Sequence, residues 1–125
     1  MQNVLFITDQ PQVRNFTAAY LRRSYFAVQE VAPASAIELM QKNAYDVVIA
    51  DSTLPKSSAL MEALACHKRA WPNKGRILLT FSDSPALAHA CRVMDVLYLP
   101  KPVRLDELRQ KIEAFENRSR LMPCE

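Results

Sequence analysis

Three unbroken apolar runs, Val4-Leu-Phe-Ile7, Val47-Val-Ile-Ala50 and Ile77-Leu-Leu79, constrain this chain more than any other feature. None alternates with polar residues, so strands built from them must be covered on both faces, as in a parallel sheet packed between helices. Two weaker runs, Phe26–Val31 and Val96–Leu99, bring the strands to five. The intervening segments have helical period. Val13, Phe16, Thr17, Tyr20 and Leu21 line one face of a first helix. Ser35 and Glu38 form a capping box opening a second, with Ile37 and Met40 turned inward. A third, about 57–70, ends at Trp71-Pro-Asn-Lys-Gly75. Ser84-Pro85 supplies the N-cap and first-turn proline of a fourth. Leu105, Leu108, Ile112 and Phe115 repeat at helical spacing behind Asp106 and Glu107, acids that suit a helix start. A β-α unit repeated five times predicts an α/β fold, a doubly wound five-stranded parallel sheet with right-handed crossovers.

At 125 residues the chain has room for one domain, expected over 1–116, with 117–125 a tail or the start of a linker to an output domain. It contains a single glycine, Gly75, which excludes the P-loop and the dinucleotide fingerprint, since each needs several. A net charge of +3, spread along the chain, gives no reason to expect nucleic-acid binding. Cys66, Cys91 and Cys124 are odd in number and lack CxxC spacing, which fits reduced thiols in a cytoplasmic setting. Cys66 and Cys91 fall within helices and read as small apolar residues. His67 and His89 read as surface residues that nothing pairs. No apolar run approaches the roughly 20 residues of a membrane span, and the amino terminus lacks a signal-peptide pattern.

Chemistry in an open parallel sheet gathers beyond the carboxyl ends of the strands. Reading those ends yields Thr8-Asp9, Asp51, Thr80 and Lys101. If the first and third strands are neighbours, about 4.8 Å apart, Asp9 and Asp51 could share a metal. Two carboxylates that close need a cation between them, and a hard ion such as Mg²⁺ suits a sparse oxygen site. A lysine and a hydroxyl beside them suit a phosphoryl oxygen. The set reads as a phosphoryl-accepting aspartate whose chemistry is mainly electrostatics and positioning. Taken singly, each residue has a plainer role: Asp9 as the N-cap of the first helix, Thr80 satisfying backbone at a strand end, Tyr98 as packing.

The segments ITDQPQVR, YDVVIADSTLP, ILLTFSD and YLPKPV, in this order and spacing, resemble the receiver domain of two-component response regulators over about Asn3 to Phe115. The resemblance implies a flavodoxin-like strand order 2-1-3-4-5, Asp51 as phosphoacceptor and a cis Lys101–Pro102 bond. It implies Mg²⁺ held by Asp9, Asp51 and the main-chain carbonyl of Thr53. Thr80, Lys101 and the main-chain amide of Phe81 would bind the phosphoryl group, and Thr80 with Tyr98 would form the switch. The implied partners are a histidine kinase or phosphotransfer protein, and a second copy of the chain through the fourth helix, fifth strand and fifth helix. Neither membrane nor nucleic acid is expected to bind this domain directly, and no activity on a metabolite is expected beyond self-catalysed gain and loss of phosphate.

Several positions depart from the family pattern. Thr8 stands where a first acid is usual, which should weaken Mg²⁺ binding. Phe81 stands where Ala or Gly is usual and should crowd the mouth of the cleft. Ala59, and Met94 or a neighbour, stand where glycines are expected, so those loops should take a different path. These departures motivate an alternative, a pseudo-receiver that dimerises or docks without phosphate. A small phosphohydrolase with Asp51 as nucleophile fits less well, because Thr53 occupies the place of its second acid.

Overall fold

The computed structural model describes residues 2–8, 15–24, 26–52, 58–81 and 84–121. The strands are β1 (Asn3–Thr8), β2 (Ala27–Val31), β3 (Val47–Asp51), β4 (Gly75–Thr80) and β5 (Leu97–Pro100). The helices are α1 (Phe16–Arg23), α2 (Pro33–Lys42), α3 (Ser58–Ala70), α4 (Pro85–Val93) and α5 (Leu105–Leu121). All strand pairs are parallel, in the order β2-β1-β3-β4-β5. The fold is the flavodoxin-like one expected.

Successive residues of a strand point to opposite faces, and this divides the core in two. Leu5, Ile7, Val48, Ala50 and Leu78 pack under Ala36 and Met40 of α2, Leu60, Ala63 and Leu64 of α3, and Cys91 of α4. Val4, Phe6, Val47, Ile49, Ile77 and Leu79 pack under Ala18 and Leu21 of α1 and Leu108 and Ile112 of α5. β1, β3 and β4 therefore carry no polar alternation, because both faces are covered.

Three local expectations need correction. In α1 the buried residues are Ala18 and Leu21, whereas Phe16 is 71% exposed, and Val13 lies outside the described residues. The face is set by Ala18 and Leu21, three apart, and Phe16 falls off it. α2 begins at Pro33 behind Ala32, with no side-chain cap, so Ser35 and Glu38 do not form its start. A proline at the first helical position needs no N–H partner and has a helical φ already, so it opens the helix ahead of the capping box. His67 is fully buried and not at the surface; its neighbour is Arg76, also fully buried. The start of α4 is as read: Ser84 Oγ accepts from Leu87 N at 3.3 Å ahead of Pro85.

At the turn between α4 and β5 the left-handed residue is Asp95, with φ of 55°. Aspartate is among the few non-glycine residues that tolerate this region, so the turn is made there without a glycine. Ala59 lies within α3. α5 continues through Leu121.

Candidate functional site

β1 has β2 on one side and β3 on the other, so the chain runs away in opposite directions from this point. In open α/β sheets ligands bind beyond the carboxyl ends of the strands at such a point. Thr8, the last residue of β1, is in register with Asp51, the last residue of β3, and both are buried. Thr80 ends β4 and is buried too, with its carbonyl accepting from Lys101 N at 2.8 Å. The Lys101–Pro102 bond is cis, as the resemblance implies.

Asp51 is only 6% exposed, so its carboxylate must be paired within the protein. Oδ1 is ion-paired with Lys101 Nζ. Oδ2 accepts a hydrogen bond from Asn15 Nδ2 at 2.9 Å. The Lys101 ammonium also donates to the Ser52 carbonyl at 3.0 Å and stands 5.2 Å from the centroid of the Phe81 ring. That ring is 68% exposed and partly covers the ammonium, a cation–π arrangement. Ser52 is itself held by a bond from its N–H to the Leu79 carbonyl at 2.9 Å. Main chain from β4 thus supports the segment just beyond Asp51.

The site expected from the sequence is assembled in part. Asp51, Lys101, Thr8, Thr80 and Phe81 all fall at the carboxyl ends of neighbouring strands. Tyr98 is half-buried, packed against the core under α2, α3 and α4. The register pairs Leu78 with Tyr98 and Thr80 with Pro100, so Thr80 and Tyr98 share a face of the sheet. Asp9 and Thr53, the two other expected metal ligands, lie outside the described residues. Asn15 was not anticipated. It is the N-cap of α1, its Oδ1 accepting from Ala18 N at 3.1 Å. An Asn directly ahead of an amphipathic segment is a capping signal, and that is how it could have been found.

The donors present are hard oxygens: the Asp51 carboxylate with Thr8 opposite it. They fit a small divalent cation that keeps most of its water. Among the described residues no group of three or more His, Cys, Asp or Glu side chains could hold a metal ion without further help.

The family model described as the response regulator receiver domain matches residues 4–113. A CheY-like receiver domain protein from Methanospirillum hungatei JF-1 is similar in structure, with a TM-score of 0.80 at 19% identity, covering 96% of this chain and 98% of that one. Chemotaxis protein CheY4 of Vibrio cholerae has a TM-score of 0.77 at 20% identity, covering 92% and 98%. The beryllofluoride-activated NtrC4 receiver domain dimer has a TM-score of 0.78 at 20% identity, covering 95% and 100%. No curated protein matches the sequence.

Proposed function

The chain belongs to the response regulator receiver domain family, and on that premise we propose that Asp51 accepts a phosphoryl group from a phosphohistidine of a kinase or phosphotransfer protein. Receiver domains are signalling modules rather than metabolic enzymes. The observation that carries the reading is the buried Asp51 carboxylate at the switch point of the sheet, ion-paired with Lys101. A carboxylate oxygen attacks phosphorus in line, the P–N bond to the donor imidazole breaks, and the nitrogen leaves with its electron pair and takes up a proton. An acyl phosphate remains on Asp51.

Positioning and charge do most of this work. The Lys101 ammonium, already against the carboxylate, neutralises the negative charge that two anions bring together and can pass to a phosphoryl oxygen. The Thr80 hydroxyl and the Phe81 N–H supply donors to the same group. Mg²⁺, when bound, would supply further positive charge, and Asp9, Asp51 and the Thr53 carbonyl would hold it. With Thr8 in place of an acid, that hold has one negative charge fewer and is weaker. Phosphate drawing on the Thr80 hydroxyl would then bias Tyr98 and the surface of α4, β5 and α5, shifting an equilibrium between two arrangements. That surface is the proposed homodimer contact; NtrC4, a receiver of the same fold, forms a beryllofluoride-activated dimer.

The test is incubation with Mg²⁺ and acetyl phosphate, phosphoramidate or a cognate phosphohistidine protein, followed by peptide mass analysis. One phosphoryl group on Asp51, absent from Asp51→Asn, is the expected result. No mass gain from any of the three contradicts the reading.

One observation favours the second reading, a pseudo-receiver that docks or dimerises without phosphate. Both carboxylate oxygens are engaged by the chain itself, and the Phe81 ring lies beside the Lys101 ammonium. On that reading Asp51→Ala keeps the signalling output; loss of output in that variant excludes it.

A further inference from the structure

Asn15 uses both ends of one planar amide. Its Oδ1 accepts from the Ala18 N–H and caps α1, while its Nδ2 donates to Asp51 Oδ2. The partners fix which end is which, because a main-chain N–H needs an acceptor and a carboxylate needs a donor. Turning the amide over would set donor against donor at Ala18 and oxygen against carboxylate at Asp51. One side chain therefore ties the first turn of α1 to the carboxylate at the centre of the site.

Loading that carboxylate changes the contact. The N–H edge of an amide carries partial positive charge, so a cation arriving at Oδ2 repels it. An acyl phosphate has lost the carboxylate charge that strengthens the bond from Nδ2. The bond to Asp51 weakens in both cases, and the amide cannot turn to a better arrangement without surrendering the Ala18 cap. We infer that Asn15 is a latch that holds the unmodified Asp51 carboxylate and couples its occupancy to the first turn of α1. The inference rests on the phosphoacceptor reading and adds a second outlet for the signal. α1 packs on the opposite face of the sheet from Tyr98. It also makes Asn15 a competitor of the cation for Oδ2.

The test compares the wild-type chain with Asn15→Ser, which keeps a capping oxygen but lacks the amide that holds Asp51. Each is followed by NMR during titration with Mg²⁺ and then with beryllofluoride. In the wild type, the Asn15 side-chain NH₂ and the Ala18 amide shift in step with the amides around Asp51. In Asn15→Ser, Asp51 responds at about tenfold lower Mg²⁺ concentration, the scale of one charge-assisted hydrogen bond, and Ala18 stays still. A wild-type response at Asp51 with Asn15 and Ala18 unmoved, or equal Mg²⁺ midpoints in the two proteins, overturns the latch and leaves the phosphoacceptor reading intact. No response at Asp51 in either protein overturns that reading and the latch with it. Should Asn15→Ser fail to fold, amide exchange of Ala18 and Ala19 in the wild type decides. Faster exchange on loading supports the latch, and unchanged exchange overturns it.

Discussion

Arg76 is the largest of the fully buried side chains among the described residues, on the face of β4 that it shares with Leu78 and Thr80. Its guanidinium is accommodated by acceptors. NH1 donates to the Trp71 carbonyl at 3.2 Å and lies 3.3 Å from His67 Nδ1, while NH2 donates to the Pro72 carbonyl at 3.4 Å and pairs with Asp95 at 3.3 Å. A guanidinium has only N–H donors and no lone pair with which to accept, so His67 Nδ1 must be the acceptor there and the imidazole must be neutral. Burial, and then the Arg76 and Lys74 charges, hold the His67 pKa down at about 4 against an ordinary 6.5, although a main-chain interaction with Tyr45 pulls the other way. The sign of the pH effect follows. Between pH 6.5 and about 4 the unfolded chain binds a proton here that the folded chain refuses, so stability is full above 6.5 and falls through that window. The loss reaches about 3 kcal/mol. Denaturant unfolding measured at a series of pH values should show this slope, and His67→Gln should flatten it between pH 6.5 and 4.5; an unchanged slope in that variant contradicts the assignment. The Asp51–Lys101 ion pair is also largely buried. Lys101→Met leaves a buried carboxylate short of its cation and should cost about 2 kcal/mol. Asp51→Leu combined with Lys101→Met should recover most of that loss, and a double variant no more stable than Lys101→Met alone contradicts it.

The elements that could be read from the sequence were those whose apolar residues are unbroken or strictly periodic. β1, β3 and β4 came from continuous runs, and α5 from Leu105, Leu108, Ile112 and Phe115. Helix starts were harder, because two legitimate signals competed. Pro33 outranked the Ser35–Glu38 box at α2, and Asn15, directly ahead of the amphipathic segment, caps α1 in place of Asp9. His67 stands on the buried stripe of α3 with Leu60, Ala63 and Leu64, so helical period marks it as inward, whereas its partner Arg76, nine residues on in β4, is not marked by any local pattern. Of the site, Asp51 and Lys101 were legible as strand-end residues, whereas the second hold on Asp51 came from a helix cap. Gly75 shows how tightly two elements meet. A Cβ there would sit 2.5 Å from Cγ of Phe115, at the base of the ring rather than its flexible end. Gly75→Ala should therefore displace α5 from the start of β4 and lower stability by about 1–3 kcal/mol, read as a shifted denaturation midpoint. A smaller residue at 115, in Gly75→Ala combined with Phe115→Leu, should restore part of it.

For the molecule as a whole, the sheet separates two helical layers and brings Thr8, Asp51, Thr80 and Lys101 to the carboxyl ends of neighbouring strands. On the proposed function, a phosphoryl group at Asp51 would act on Lys101 and Asn15, its present partners, and on Thr80 at the neighbouring strand end; Asn15 caps α1, and Thr80 shares the other face of the sheet with Tyr98. A response that spreads over both faces from one modified carboxylate is therefore expected. It requires Asp51 to be a working acceptor even though Thr8 stands in place of an acid and the Phe81 ring lies beside the Lys101 ammonium. Beryllofluoride, which stands in for a phosphoryl group on a carboxylate, tests this most directly in the presence of Mg²⁺. Amide shifts at Asp51, Thr80 and Lys101 that extend to Tyr98, and vanish in Asp51→Asn, are the result predicted. A spectrum unchanged at millimolar Mg²⁺ and saturating beryllofluoride would contradict it and assign the fold to docking without phosphate.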